Sequence, residues 1–179
     1  MKNLKIIWVI VMAFVINSTS VLGQSESKKN KIIADCATAK AEFIEKDALM
    51  KTLFDKAYGY VIFPNVGKGG FGIGAAAGNG AVYEHKRLVG MAKLSQLSIG
   101  FQAGGQAYRE VIFFESKKEM EQFKESRFEF SAQVSAVAVS EGASANVKYT
   151  DGVMVFTMQK GGLMYEASIG GQKFKFNKL

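Results

Sequence analysis

Residues 57–83 read A-Y-G-Y-V-I-F-P-N-V-G-K-G-G-F-G-I-G-A-A-A-G-N-G-A-V-Y, and the fold turns on how this stretch is read. It contains the only proline, Pro64, and seven glycines between Gly67 and Gly80. Gly67-x-Gly69-x-x-Gly72 matches the dinucleotide-binding fingerprint and resembles the glycine loop of kinases. A dinucleotide loop must lead from a strand directly into a helix whose first turn holds the pyrophosphate. Here the glycines run on through Gly74, Gly78 and Gly80, and glycine is a poor helix former. The kinase reading also lacks an H-R-D or D-F-G segment anywhere in the chain. The stretch is therefore read as strands, with Asn79-Gly80 expected as a hairpin turn. The glycines serve bends and close strand approach in a curved sheet, and no nucleotide or other cofactor is expected.

Upstream, Lys2 and Lys5 precede an apolar run from Ile6 to Ile16, followed by polar residues and Gly23. This is the pattern of a secretory leader over residues 1–23, with an apolar core shorter than the roughly 20 residues a membrane span needs. Gln24 stands where a lipoprotein would need cysteine. An exported product, periplasmic or extracellular, is expected after cleavage near Gly23. Without Lys2 and Lys5 the chain keeps 21 basic and 16 acidic residues, a net +5 that favours acidic partners. The remaining length suits one domain.

Residues 24–30 are polar and charged and are expected to form a flexible arm ahead of a single domain over 31–179. Ile33, Cys36, Ala37, Ala41 and Ile44 recur at helical spacing. Asp47 is placed to cap a second helix carrying Leu49, Met50, Leu53 and Phe54. From Pro64 onward the pattern is that of strands: Gly70 to Ala77, Ala81 to Glu84, Arg87 to Leu94 after a turn at His85-Lys86, Ser95 to Gln106, and Tyr108 to Phe114. Ser116-Lys-Lys-Glu119 is a capping box that opens one inserted helix, with Met120 and Phe123 inward. Phe128 to Val139 alternates again. Val153 to Gln159 and Leu163 to Ile169 read as a hairpin, and Gln172 to Phe176 as a last strand with Lys173 and Lys175 opposite Phe174 and Phe176. The expected class is α+β, with N-terminal helices packed on a strongly curved, mostly antiparallel, barrel-like sheet and one inserted helix.

The side chains offer little for catalysis. His85 and Cys36 are the only histidine and cysteine, so no His/Cys metal cluster can form and an internal disulfide is excluded. Cys36 reads as a small buried residue on a helix. Gly142-Ala-Ser144-Ala-Asn146 lacks the closing glycine of a nucleophile elbow. Glu119, Glu121, Glu125 and Glu129 look like a solvated face. An enzyme would need a cleft gathering Asp151, Glu166 or Glu110 around a perturbed carboxylate. The basic residues are the more promising set. Lys28, Lys29 and Lys31 adjoin Ile32 and Ile33, a combination suited to a lipid surface. Lys68, Arg87, Lys93, Arg109, Lys173 and Lys175 lie in or beside strands. Export argues against nucleic acid as the partner.

The opening stretch, with Gly78-Asn-Gly80-Ala-Val-Tyr83, then Ser98-Ile-Gly100-Phe-Gln102-Ala-Gly104-Gly105-Gln106, Val111-Ile-Phe-Phe and Gly161-Gly-Leu163 in order, resembles the signature of the SYLF domain family. These are lipid-binding modules related to actin-regulating proteins of eukaryotes, and the resemblance covers essentially the whole chain after residue 23. It implies binding to phosphoinositide or other anionic phospholipid without enzymatic activity. By position in the family pattern, Lys28, Lys29, Lys31 and Lys68 are the counterparts of residues that meet the membrane. The chain departs from the pattern at Met91-Ala-Lys-Leu-Ser95, where relatives carry tryptophan-serine-proline, and in its short ending, Phe174 to Leu179. The expected function is an exported, non-enzymatic contact with anionic phospholipid headgroups through Lys28, Lys29, Lys31, Lys68, Arg87, Lys93, Lys173 and Lys175. The alternative is a carrier of a small apolar or lipid ligand in a cavity of the curved sheet. Actin is not expected as a partner of an exported chain.

Overall fold

The computed structural model describes residues 25–71, 73–99, 106–128, 130, 134–160 and 169–179. The expected leader, all but the last residue of the strand expected at Leu163 to Ile169, Glu129, Glu166 and the glycines at 100, 104 and 105 lie outside the described residues. Helix α1 covers 25–46, so residues 25–30 are helical and are not an arm. Helix α2 spans Met50–Lys56. The strands are β1 (Gly59–Phe71), β2 (Ile73–Glu84), β3 (Arg87–Ile99), β4 (Gln106–Phe114), β5 (Ala136–Ala138), β6 (Val153–Gln159) and β7 (Gln172–Lys178). Helix α3 (Lys117–Lys124) is inserted after β4, and a short 3-10 turn covers Ala143–Asn146.

The strands form one sheet in the order β5-β6-β4-β1-β2-β3-β7. Among the described residues, only β5 and β6 pair in parallel. The expected barrel-like curl is corrected here: β5 and β7 are the two ends of the order, and the sheet is open. It is curved so that Gln172 Nε2 on β7 donates to Glu110 Oε2 on β4 at 2.9 Å.

The hairpin between β1 and β2 is also placed differently from the expectation. Phe71 pairs with Ile73, so the chain reverses between them, while Asn79 and Gly80 lie inside β2 opposite Lys93 and Ala92. An Asn-Gly pair supports a turn locally, but the ladders on both sides of β2 hold it extended.

Pro64 sits in β1, an inner strand, where a proline would normally remove a ladder bond. The register of β1 shifts around it against both neighbours, between Ile62 and Asn65 on β2 and between Phe63 and Val66 on β4. A bulge is where a sheet tolerates proline. Gly80 lies across from this bulge. A Cβ there would stand 2.7 Å from Phe63 Cδ1 and 3.0 Å from the Ile62 carbonyl carbon, with the Ile62 oxygen closer still.

Both faces of the sheet are covered. On one, Cys36, Ala39 and Phe43 of α1 and Met50 and Phe54 of α2 pack on Tyr60, Ile62, Ala81, Val111, Phe113 and Phe156. The phase of α1 differs from the expected one: Ile32, Cys36, Ala39 and Phe43 face the sheet, and Ala37 and Ala41 are exposed. Burying a phenylalanine is worth far more than burying two alanines, so Phe43 sets the rotation of the helix. Cys36 is fully buried with Sγ 3.3 Å from the Ile62 carbonyl, and burial pushes its thiol up to about 12, which makes it an inert packing residue. On the second face, Met120 and Phe123 of α3, with Phe128 and Val134, cover Val61, Phe63, Val82, Leu94, Ile112, Phe114 and Phe174. The capping residue is as expected, Ser116 accepting from the Lys118 N–H at 3.2 Å. Its partner Glu119 is buried, contrary to the solvated face, and accepts the Ser116 hydroxyl at 2.5 Å.

Asp47 ties the helices to the rest of the molecule. It stands two residues before the Leu49 cap of α2, accepting from the Leu49 N–H at 3.1 Å. Its other oxygen accepts from the Ser144 N–H at 2.8 Å and hydroxyl at 2.6 Å. Burial raises a carboxyl, but these bonds outweigh it and hold Asp47 below its ordinary value.

Candidate functional site

Alternation along β2, β3 and β7 determines which side chains meet. Asn79 is opposite Lys93, and Lys93 is opposite Lys175; Ala77 is opposite Ser95, and Ser95 is opposite Lys173. These residues share the face on which α1 packs, in rows about 4.8 Å apart from strand to strand. The first turns of α1 lean over the same rows. Together they enclose a groove of about 910 Å³, lined by Lys28 and Lys29 of α1, Lys93 of β3 and Lys173 and Lys175 of β7. Asn65, Asn79, Asn177, Ser25 and Ser95 supply amides and hydroxyls, and among the described residues no carboxylate lines it. Lys160 adds a further cation at the rim, bonded to Asn65 Oδ1.

Five of the eight expected basic residues thus come together. Lys31 does not line the groove and is paired with Asp35 at 2.7 Å. Lys68 follows Val66 onto the second face, opposite Ala76. Arg87 is at the start of β3 next to the His85-Lys86 turn, six residues from Lys93 and roughly 20 Å along the strand. Arg109 is no surface charge either: it is buried under α1 and bonded to Glu42. Within the groove Lys29 is partly compensated by Glu26 at 3.1 Å.

Like charges directly across a ladder destabilise a sheet, so Lys93 opposite Lys175 costs stability. Lysines on an edge strand also deter pairing with other chains, which accounts for Lys173 and Lys175. It does not account for Lys93 on an inner strand or for Lys28 and Lys29 on a helix. A local conflict of this kind is expected where a site has been built. The asparagines were missed from sequence because Asn79 reads as a turn residue, and Asn65 follows the proline; only the pairing shows that they share the lysine rows.

Glu110 is a perturbed carboxyl away from the groove. It is fully buried on the second face, and burial pushes its carboxyl up to about 7, with the Gln172 amide pulling it back. Asp151, by contrast, is exposed in the turn before β6. Among the described residues no set of three His, Cys, Asp or Glu could hold a metal ion. No helix there is long and apolar enough to cross a membrane.

Residues 95–178 match the family model described as "Ysc84: Las17-binding protein actin regulator". The chain carries a Ysc84/SYLF domain. SYLF domains are linked to lipid binding and are generally non-catalytic. The chain is similar to beta cell expansion factor A of Aeromonas veronii, with 30% identity over 144 residues, covering 79% of this chain and 54% of that protein. It therefore spans about half the length of the curated relative it matches. The SYLF match includes Lys173 and Lys175, while Lys28, Lys29 and Lys93 lie before it.

Proposed function

We propose that the protein is an exported, non-enzymatic SYLF protein that binds anionic phospholipid headgroups in the lysine groove. Export rests on the leader-like pattern of residues 1–23, and an exported chain does not meet actin. The observation that carries the reading is the groove itself: five lysines with amides and hydroxyls between them and, among the described residues, no lining carboxylate. An ammonium is a point charge with three donors, suited to phosphate oxygens presented from any direction. Asn65, Asn79 and Asn177 add neutral donors that can fix the orientation of a headgroup. Facing Lys93 and Lys175 across one ladder becomes favourable once an anion stands between them. The lining also includes Ile32, Met91 and Phe174, and it is the five ammonium groups among it that favour an anionic headgroup over an apolar cargo.

The test is flotation with vesicles of phosphatidylcholine containing phosphatidylglycerol. A lysine beside an anionic membrane is worth about 1 kcal/mol, so replacing Lys93, Lys173 and Lys175 by Gln is expected to weaken binding on the order of 100-fold at low salt. Raising the ionic strength should shrink the difference. Lys68→Gln, on the other face, should leave binding unchanged. Equal flotation of the triple variant and the parent would remove the groove as the site.

A further inference from the structure

The most exposed large apolar side chain among the described residues stands at the end of the lysine face. Leu97 is 77% exposed. It is opposite Ala75 and on the same side of β3 as Lys93 and Ser95. At about 3.3 Å per residue it lies about 13 Å beyond Lys93 and one step of the alternation past the Ser95-Lys173 pair. Its neighbour Ala75 and the next residue in the row, Gly69, are also exposed and carry no polar side chain. The other exposed leucines, Leu49 and Leu179, stand before α2 and at the last position, away from this row.

We infer that the protein seats on an anionic bilayer by this end of the sheet, with Leu97 entering the hydrocarbon boundary and Lys93 and Lys173 at headgroup level. The inference rests on the headgroup reading and adds an orientation and an inserted residue. Charge selects the occupant. Among the described residues the lysine rows adjoin Leu97 without a lining carboxylate, so an anionic surface is attracted to the same face that offers the apolar side chain. A second copy docking by this face would bring two lysine rows together and is disfavoured for that reason. Lysine stems are long enough to lie along the apolar boundary while their ammonium groups stay among phosphates. Leu97 has no such reach to water once the face is applied to a bilayer, so it must be buried in the acyl region.

The only tryptophan of the chain is Trp8, so a single reporter is simple to introduce. The full chain with Trp8→Phe and Leu97→Trp is titrated with vesicles of equal parts phosphatidylcholine and phosphatidylglycerol, with and without brominated acyl chains. A matched protein carries Leu49→Trp in place of Leu97→Trp. The expected result is a blue shift and bromine quenching for tryptophan at 97 and neither for tryptophan at 49. Leu97→Ser, at an exposed position where folding is not at issue, is expected to lower vesicle partitioning about tenfold. Flotation with tryptophan at 97 unshifted and unquenched overturns the insertion while leaving headgroup binding intact. Equal quenching at 49 and 97 overturns the orientation. No flotation in any form removes the headgroup reading and this inference with it.

Discussion

Substituting Gly80 by Ala tests what the glycines of the 57–83 stretch are for. The added methyl would stand 2.7 Å from Phe63 Cδ1 and 3.0 Å from the Ile62 carbonyl carbon. Comfortable contact begins near 3.4 Å. The groups in the way are the backbone of the β1 bulge and a fully buried ring, and β1 is held by β2 on one side and β4 on the other. It cannot withdraw without disturbing the pairing on both sides. Overpacking of this kind costs about 1–3 kcal/mol, and the involvement of backbone puts Gly80→Ala at the upper end. For a domain of this size about 3 kcal/mol corresponds to a drop in melting temperature of roughly 6–12 °C. Gly67 is the internal comparison, because a Cβ there meets nothing within 4 Å. Gly67→Ala should be neutral or stabilising by about 0.5–1 kcal/mol, since alanine restricts the unfolded chain more than glycine does. Urea denaturation of the three proteins decides it. Equal midpoints for Gly80→Ala and Gly67→Ala would refute the packing account of Gly80.

Two further outcomes follow from buried carboxyls. The unfolded chain releases the Glu110 proton in the ordinary carboxylate range, while the folded protein holds it up to about 7, so stability should fall as pH rises from about 4.5 to 7. Glu110→Gln removes that slope and should be stabilising at pH 8 relative to pH 5 by at most about 3 kcal/mol; an unchanged slope in urea midpoints would place the proton elsewhere. Asp47 is held low, so its contribution is present at neutral pH and is lost as acid takes it through its folded value. Asp47→Asn should cost about 1–3 kcal/mol in a thermal melt at pH 7, with the gap to the parent narrowing at low pH; a constant gap would show that charge is not what matters there.

Much of the architecture is legible in local chemistry. The His85-Lys86 turn, the Ser116 cap, the bounds of β6 and the lysine-phenylalanine alternation of β7 each depend on residues a few positions apart. The failures have a common cause, which is that they are settled by neighbours distant in sequence. Asn79-Gly80 carries a turn signature that the two flanking ladders override. Openness of the sheet depends on which strands stand at its ends, and composition carries no trace of that. The rotation of α1 depends on which residue faces the hydrophobic surface of β1, β2 and β4, a surface the helix cannot reveal. The site shows the same limit more sharply. Lysine content pointed to anionic partners, yet the grouping of Lys28 with Lys175 is a product of strand order and of how α1 crosses the sheet. Lys68 sits inside the most distinctive motif and is nevertheless on the face opposite the groove.

The bulge at Pro64 explains that last point by parity. Tyr60 and Ile62 face the helices, and continued alternation would carry Val66 and Lys68 to the same side. One unpaired residue inverts the count: Val66 is buried on the second face, Lys68 follows it, and the helix-side positions fall to Gly67 and Gly69. A single residue in the ladder thus sorts charge between the two sides of the molecule, and an insertion or deletion within 63–65 would move a lysine across the sheet without changing any other amino acid.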